Sequence, residues 1–422
     1  MISIKELRDN PSKTKTRLNL KNDYSDIDII LNLDSELRAL KTKANSIRSQ
    51  RNKSSELIAN LMKTKRDASV IIKETRLLGD KLKDLDKTMN SVQIKLNSEL
   101  LKLPNLPLEN VPTGKNSDDN IKIRSWGDKP SFSFKPKTHL ELNEKLSFID
   151  LKRGSKISGS GFPLFTGQGA KLERCLINSM IDHHCTVYNS KELLPSVLMT
   201  KESMLTTGQL PKFQDDMYHT EVDNLFLAPT AEVPVTNIHR DEIIDEDKLP
   251  FNYVAYSPCF RRESGSYGKD TRGLLRVHQF NKVELVKFTT PETSLLELEK
   301  ITTQAESILK KLGLKYRVIE LCTGDLSFSA AKCYDIEVWA PGEQKWLEVS
   351  SCSNFQSFQA IRGNIRYRKK VDKKVEFLHT LNGSGLATPR LFVALIETYQ
   401  NKEGKILFPD HIADFLGIRE II

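Results

Sequence analysis

CFRRESGSYGKDTRGLLRVHQFNKVE, from Cys259 to Glu284, decides how the rest of the chain is read. It places Arg261, Arg262, Arg272 and Arg276 around Gly265, Gly268 and Gly273, with Lys269 and Lys282 as further cations. Guanidinium is planar and always charged, and it grips phosphate oxygens at two points where an ammonium offers one. The glycines suit a mobile turn because they accept positive φ. The flanks, Tyr253–Phe260 and Val277–Phe288, alternate apolar and polar residues as half-buried strands do. The stretch therefore predicts a strand–loop–strand with arginines on one face, and Glu263 and Phe280 beside them complete a nucleotide cradle. A soluble surface hairpin is the competing reading of the same charges.

Working outward, the 422 residues suffice for two or three domains, one with a large core. No run of about 18 apolar residues is present to span a bilayer, and the start, MISIKELRDNPSK, lacks the apolar stretch of a secretory signal. Cys175, Cys185, Cys259, Cys322, Cys333 and Cys352 form no CxxC pair. They read as reduced thiols in a cytoplasmic protein, with no zinc expected. The net charge of +9 is concentrated: residues 36–102 hold 16 Lys and Arg against 8 Asp and Glu. A polyanionic partner docking on that segment is implied.

The basic segment also carries a heptad seam through Ile30, Leu33, Leu37, Leu40, Ala44, Ile47 and Arg51, and a second through Ile71, Thr75, Leu78, Leu82, Leu85, Met89, Val92 and Leu96. Two such helices, broken by the polar stretch Arg51–Ala68, predict an antiparallel coiled-coil hairpin. A spacer or dimerisation coil is the plainer use of the pattern. Arg38, Lys41, Arg48, Lys81 and Lys83 lie off the seam and favour contact with nucleic-acid phosphates. Pro104, Pro107 and Pro112 end the second helix, so residues 1–103 read as an N-terminal domain, 104–120 as a linker and 121–422 as the main domain. Beyond the linker, helical patterns (Leu140–Leu151, Ala170–His184, Thr293–Leu312) alternate with strand runs (Tyr316–Leu321, Cys333–Ala340, Lys345–Ser350), which favours an antiparallel α+β fold. Neither common glycine-rich phosphate loop occurs in a strand-to-helix setting.

The Phe260–Glu263 string FRRE, with GKDTRGLLRVHQF after it, resembles the second signature motif of class II aminoacyl-tRNA synthetases, and of seryl-tRNA synthetases in particular. TTGQLPKF (Thr206–Phe213), LAPTAEVPVTN (Leu227–Asn237), WLEVSSCSNFQSFQAIR (Trp346–Arg362) and LNGSGLATPRLFVALIETYQ (Leu381–Gln400) resemble further family segments, and Pro195 fits the proline of the first motif, at the family's dimer interface. The likeness covers essentially the whole chain. It implies an antiparallel class II catalytic domain behind a tRNA-binding arm, a homodimer, and a serine–tRNA ligase using ATP and Mg²⁺ with no membrane partner. The acceptor implied is tRNA(Ser), with tRNA(Sec) as a candidate second one.

By position, the resemblance makes Arg261, Arg390 and Glu348 the catalytic set. Arg261 would hold the α-phosphate and the serine carboxylate. Glu263 would help read adenine, Phe280 would stack on it, and Arg276 would reach toward the γ-phosphate, with Arg262, Val277, Val349 and Ser350 around the nucleotide. Glu348 and Ser351 would ligate Mg²⁺, a hard cation suited to oxygen donors. Thr230, Ala231, Glu232, Glu284 and Ser384 would form the serine pocket. Singly, each residue has a structural reading: Glu232 and Glu284 as strand-surface carboxylates, Phe280 as core, Ser384 as part of a glycine turn. Three positions depart from the family pattern: Gly161 and Ile361, where arginine is common, and Pro389, where glycine is usual. Two other classes compete with the ligase. One is a paralogue without tRNA charging, acting on a carrier protein or inactive; the other is a non-enzymatic coiled-coil scaffold.

Overall fold

The computed structural model describes residues 1–264 and 272–422. Gly265, Gly268 and Lys269 of the arginine-rich loop therefore lie outside the described residues. The chain divides into two compact units, one of Ile2–Asn19 with Asp23–Pro104, the other of Asn105–Ile422 with Met1 and Leu20–Asn22.

In the first unit, helix α1 (Ile27–Lys63) and helix α2 (Ser69–Lys102) form the hairpin. Asp26 caps α1 by accepting from Asp28 N. Ile30, Leu37 and Ala44 are buried on α1, and Leu82, Val92 and Leu96 on α2, as the two seams require. The break expected from Arg51 to Ala68 is shorter, since α1 runs on to Lys63. The reason is that the three-and-four spacing continues past Arg51 through Ser54, Ile58 and Leu61, all half-buried, while Arg51 itself is exposed. A polar composition hid an unbroken stripe. Arg48 reaches Asp86 across the hairpin at 2.9 Å; both side chains are about half exposed, so the pair adds little stability.

The second unit is built on an eight-stranded sheet, whose strands in chain order are β1 (Ile121–Trp126), β2 (Lys191–Leu193), β3 (Phe251–Phe260), β4 (Gln279–Thr289), β5 (Tyr316–Glu320), β6 (Lys332–Ala340), β7 (Lys345–Asn354) and β8 (His379–Ala387). Their spatial order is β1-β5-β6-β7-β8-β4-β3-β2. All neighbours are antiparallel except the edge pair β2 and β3. Three long helices pack on one face: α3 (Gly167–Tyr188), α4 (Ser294–Lys311) and α5 (Thr388–Thr398). Leu172, Leu176 and Met180 of α3, Ile301, Ala305 and Ile308 of α4, and Leu391, Phe392 and Leu395 of α5 meet Val283, Leu285, Val318, Ile336, Val338, Leu381 and Leu386 of the sheet. The helix expected over Leu140–Leu151 is instead two short ones, His139–Leu146 and Leu151–Ser158, parted at Ser147, whose backbone is left-handed (φ +48).

Two β-bulges set the other face. β6 and β7 shift register between Ile336 and Glu337, where Ser350 and Glu348 face them and Val349 is the extra residue. β8 and β4 shift between Ser384 and Leu386, leaving Gly385 without a ladder partner there. A bulge reverses which later residues point to which face. Both bulges lie at the point where β7 and β8 stop pairing, beyond Cys352 and Gly383.

On the hairpin seam Ala44 is fully buried. Replacing Ala44 with Leu overpacks that point and is expected to cost about 1–3 kcal/mol, seen as a lower midpoint in thermal melts followed by helical ellipticity. An unchanged midpoint would mean that the helices do not meet there.

Candidate active site

A cavity of about 700 Å³ opens on the sheet face away from the three helices. Thr230, Glu232, Arg261, Glu263, Arg276, Val277, Phe280, Glu348, Val349, Ser350, Ser351, Ser384 and Arg390, widely separated in sequence, all line it. Three of the expected residues do not: Arg262 is exposed at the end of β3, Ala231 is buried in a separate apolar cluster, and Glu284 lies fully buried behind the wall.

Glu348 and Ser351 are three apart on one strand, a spacing that puts side chains on opposite faces of a regular ladder. The bulge at Val349 turns both toward the cavity. The second bulge does the same for β8: Asn382 and Ser384 line the cavity before Gly385, Ala387 after it, while Leu386 drops into the core. The Ser350 hydroxyl donates to the Ser384 carbonyl at 2.6 Å and ties the two irregular strands together.

At the cation-rich end, Arg390 stands in the first turn of α5, just after Pro389, which suits that position because its missing N–H has no helical partner. Its Nε donates to the Leu275 carbonyl at 3.1 Å, and one terminal nitrogen lies 3.6 Å from the Glu348 carboxylate. Arg261 donates to the Pro229 carbonyl at 3.3 Å, and its guanidinium lies over the Phe280 ring, 5.3 Å from the centroid. Arg276 is ion-paired to Glu263, whose backbone is left-handed (φ +52), and this pair closes the base of the loop. The positive edge of the cavity is thus held by backbone carbonyls and carboxylates, oriented before any ligand arrives.

Gly161 has a physical reason for departing from the family pattern. It sits at φ +82, and a Cβ there would meet the His278 ring at 2.4 Å. His278 N–H donates to the Gly161 carbonyl at 2.8 Å, beside the root of the arginine-rich loop. Below the same loop, Leu274 N–H donates to His139 Nε2 at 3.2 Å, which leaves Nδ1 as the protonated nitrogen, 3.2 Å from Glu343. Glu397 accepts from the backbone N–H groups of His139, Gly342 and Glu343. His139, Glu343 and Glu397 cluster closely, and these bonds make them a hub that anchors the returning loop.

The acidic end is denser. Glu232 opens a short helix, Glu232–Asn237, and is not on a strand as expected. Gln359 donates to Glu232 Oε1 at 2.6 Å, and Asn382 donates to Glu232 Oε2 at 2.9 Å and to Glu284 Oε1 at 3.0 Å. Lys282 Nζ sits 2.6 Å from Glu284 Oε2, though off the hydrogen-bond axis of that oxygen. Burial first, then the charge of Glu284, pushes the Glu232 carboxyl up to about 7, against the pull of Gln359, Lys282 and Arg261. Lys282, Asn382 and Gln359 were not singled out from sequence as pocket residues. Their positions inside the matched motifs were visible, but nothing local showed which way they point.

The donor set suits a hard cation: the Glu348 carboxylate and Ser351 hydroxyl share one wall, and half-buried Asp335 faces Ser351 across the β6–β7 ladder. Burial and the charge of Glu348 push the Asp335 carboxyl well above its usual range. Carboxylate and hydroxyl oxygens of this kind are what a hard divalent ion takes as ligands.

Residues 1–107 match the seryl-tRNA synthetase N-terminal domain, and residues 213–399 match the tRNA synthetase class II core domain (G, H, P, S and T). The serine–tRNA ligase of Geobacter sulfurreducens is 49% identical over 417 residues, covering 99% of both chains. The chain belongs to the seryl-tRNA synthetase family. The serine–tRNA ligase of Bacillus subtilis is 48% identical over 423 residues and the full length of both. The crystal structure of seryl-tRNA synthetase from Pyrococcus horikoshii complexed with ATP superposes with a TM-score of 0.92 at 35% identity, covering 100% of this chain and 99% of that one. Membership makes the chain an ATP-dependent aminoacyl-tRNA ligase of the serine class, with the α+β class II fold expected from its motifs.

Asn382 is the joint between the two buried carboxylates. Asn382→Leu removes both hydrogen bonds and is expected to lower unfolding free energy by about 1–3 kcal/mol, read from the urea midpoint. A wild-type midpoint would show that the carboxylates are held apart by other means.

Proposed function

We propose that the cavity joins L-serine to ATP and passes the seryl group to the 3′ end of tRNA(Ser), with tRNA(Sec) as a candidate second acceptor. The observation that carries the reading is the shared cavity, in which three arginines and an aromatic ring stand at one end and a buried acidic pocket at the other. In the first step the serine carboxylate oxygen attacks the α-phosphorus and pyrophosphate leaves. The nucleophile is already ionised, so alignment and charge neutralisation carry most of the catalysis. Arg261, within reach of both ends, aligns the carboxylate and α-phosphate. Phe280 stacks on adenine and Arg390 covers the other side. Glu263 and Arg276 are paired with each other in this structure; in the proposed complex they part, Glu263 turning to adenine and Arg276 to the γ-phosphate. Glu348 and Ser351 would hold Mg²⁺, which when bound offsets charge on the phosphates. In the second step a ribose hydroxyl of the tRNA attacks the seryl carbonyl and AMP leaves.

For serine itself, Glu232 faces the ammonium, while Ser384 and Glu284, through Asn382 and Lys282, define the room for the hydroxymethyl group. A pocket that hydrogen-bonds a hydroxyl rejects alanine strongly, because a buried polar group loses its partner. Threonine is excluded only by space, the weaker filter at about 1–3 kcal/mol. Residues 1–103 form the tRNA-docking domain, 104–120 the linker and 121–422 the catalytic domain of a cytoplasmic homodimer. The hairpin's outward Lys and Arg meet the RNA backbone by shape and charge. Among the described residues no helix is long and apolar enough to cross a membrane.

Amino-acid-dependent ATP–pyrophosphate exchange across the standard amino acids tests this reading: serine is expected to support exchange, and exchange with another amino acid but not serine would overturn it. Removing residues 30–100 is expected to spare adenylate formation and abolish transfer to tRNA. Loss of both activities would mean that the hairpin supports the catalytic body.

A further inference from the structure

The bulge at Gly385 is held by a residue outside all the matched motifs. His184, fully buried on α3, lies with Nε2 3.0 Å from the Gly385 carbonyl. Gln304 of α4 lies with its amide nitrogen 3.3 Å from Nδ1 of the same ring and 2.9 Å from the Ser190 hydroxyl. An amide N–H on Nδ1 makes that nitrogen the acceptor, so Nε2 carries the proton and donates to Gly385. Burial keeps the ring neutral, its pKa pushed down to about 4. The fit is close: a Cβ on Gly385 would lie 2.7 Å from His184 Nε2.

A bulged residue leaves its peptide without ladder partners, and an unpaired buried carbonyl is costly. His184 satisfies that carbonyl from the helix side, and Ser350 fixes the adjacent Ser384 carbonyl. The peptide on which Ser384 is mounted is therefore clamped at two successive carbonyls.

We propose that His184 is a positioning residue for amino-acid selection: by fixing the bulge at Gly385 it aims Ser384 into the serine pocket and holds the space that excludes a larger side chain. The inference rests on the serine-pocket reading above. His184 touches no substrate and acts only through strand β8. The phosphate end of the cavity, on Arg261, Arg390 and Phe280, does not depend on it.

The test is ATP–pyrophosphate exchange with serine and with threonine on full-length His184→Leu and His184→Gln enzymes. The readout is the serine-to-threonine ratio of kcat/KM, a quantity independent of how much of each preparation is folded. His184→Leu is expected to raise the serine KM about tenfold, the value of one lost buried hydrogen bond, with the ATP KM unchanged and the ratio reduced about tenfold. His184→Gln retains an N–H that can reach the carbonyl and is expected to restore both to within about threefold. If His184→Leu does not fold, Gly385→Ala, which displaces the ring, is expected to reduce the ratio in the same way. A variant that melts earlier but keeps the wild-type ratio and serine KM overturns the proposal, as does an equal rise in both KM values. Absence of serine-dependent exchange in the unmodified enzyme overturns the pocket reading itself and this inference with it.

Discussion

Two carboxylates buried within reach of one asparagine set the terms for this active site. Glu232 and Glu284 share the amide of Asn382, and the cations Lys282 and Arg261 stand nearby. Burial disfavours the charged form of Glu232 and the neighbouring Glu284 charge adds to that, so its carboxyl is pushed up to about 7 from its usual 4.5. The sign of the consequence is definite. A carboxyl whose folded pKa is raised binds a proton more tightly folded than unfolded, so the pocket costs the fold stability as pH rises from about 4.5 to 7. A ligand bringing its own positive charge relieves that cost. An ammonium group beside a hydroxyl is the ligand the proposed reading supplies.

The second constraint is geometric. A regular antiparallel sheet offers every second residue of a strand to a face, and on that rule Glu348 and Ser351 could not share a wall, nor could Ser384 and Ala387. One extra residue in each of two neighbouring strands, Val349 and Gly385, rephases both at the same level. The strands diverge there, and the Ser350–Ser384 bond and the His184–Gly385 bond take over from the ladder.

Much of this was legible in the sequence. The arginine-rich hairpin, the heptad seams, the helices expected over Ala170–His184 and Thr293–Leu312 and the strands expected over Cys333–Ala340 and Lys345–Ser350 follow from period and composition, because each is a local property; the elements found run from Gly167 to Tyr188, Ser294 to Lys311, Lys332 to Ala340 and Lys345 to Asn354. The motif likeness assigned Arg261, Phe280, Glu348 and Arg390 to one site, and all four line the cavity. What stayed hidden depends on contacts distant in sequence. The bulges arise from how β7 and β8 meet β6 and β4, and no periodicity announces them. The reach of Gln359 and Asn382 to Glu232 spans more than a hundred residues. The continuation of α1 past Arg51 was masked by polarity, although Ile58 and Leu61 kept the stripe.

The most direct test is calorimetric. Titrating the enzyme at pH 7 with serine, in buffers of different ionisation enthalpy, measures the protons exchanged on binding. Burial and the charge of Glu284 push the Glu232 carboxyl up to about 7, so a share of the molecules carries its proton at that pH, and the ammonium should displace it. Release of a few tenths of a proton, up to about half, is the expected result. Serine binding with no proton released, or with protons taken up, would contradict the acidic pocket on which the account rests.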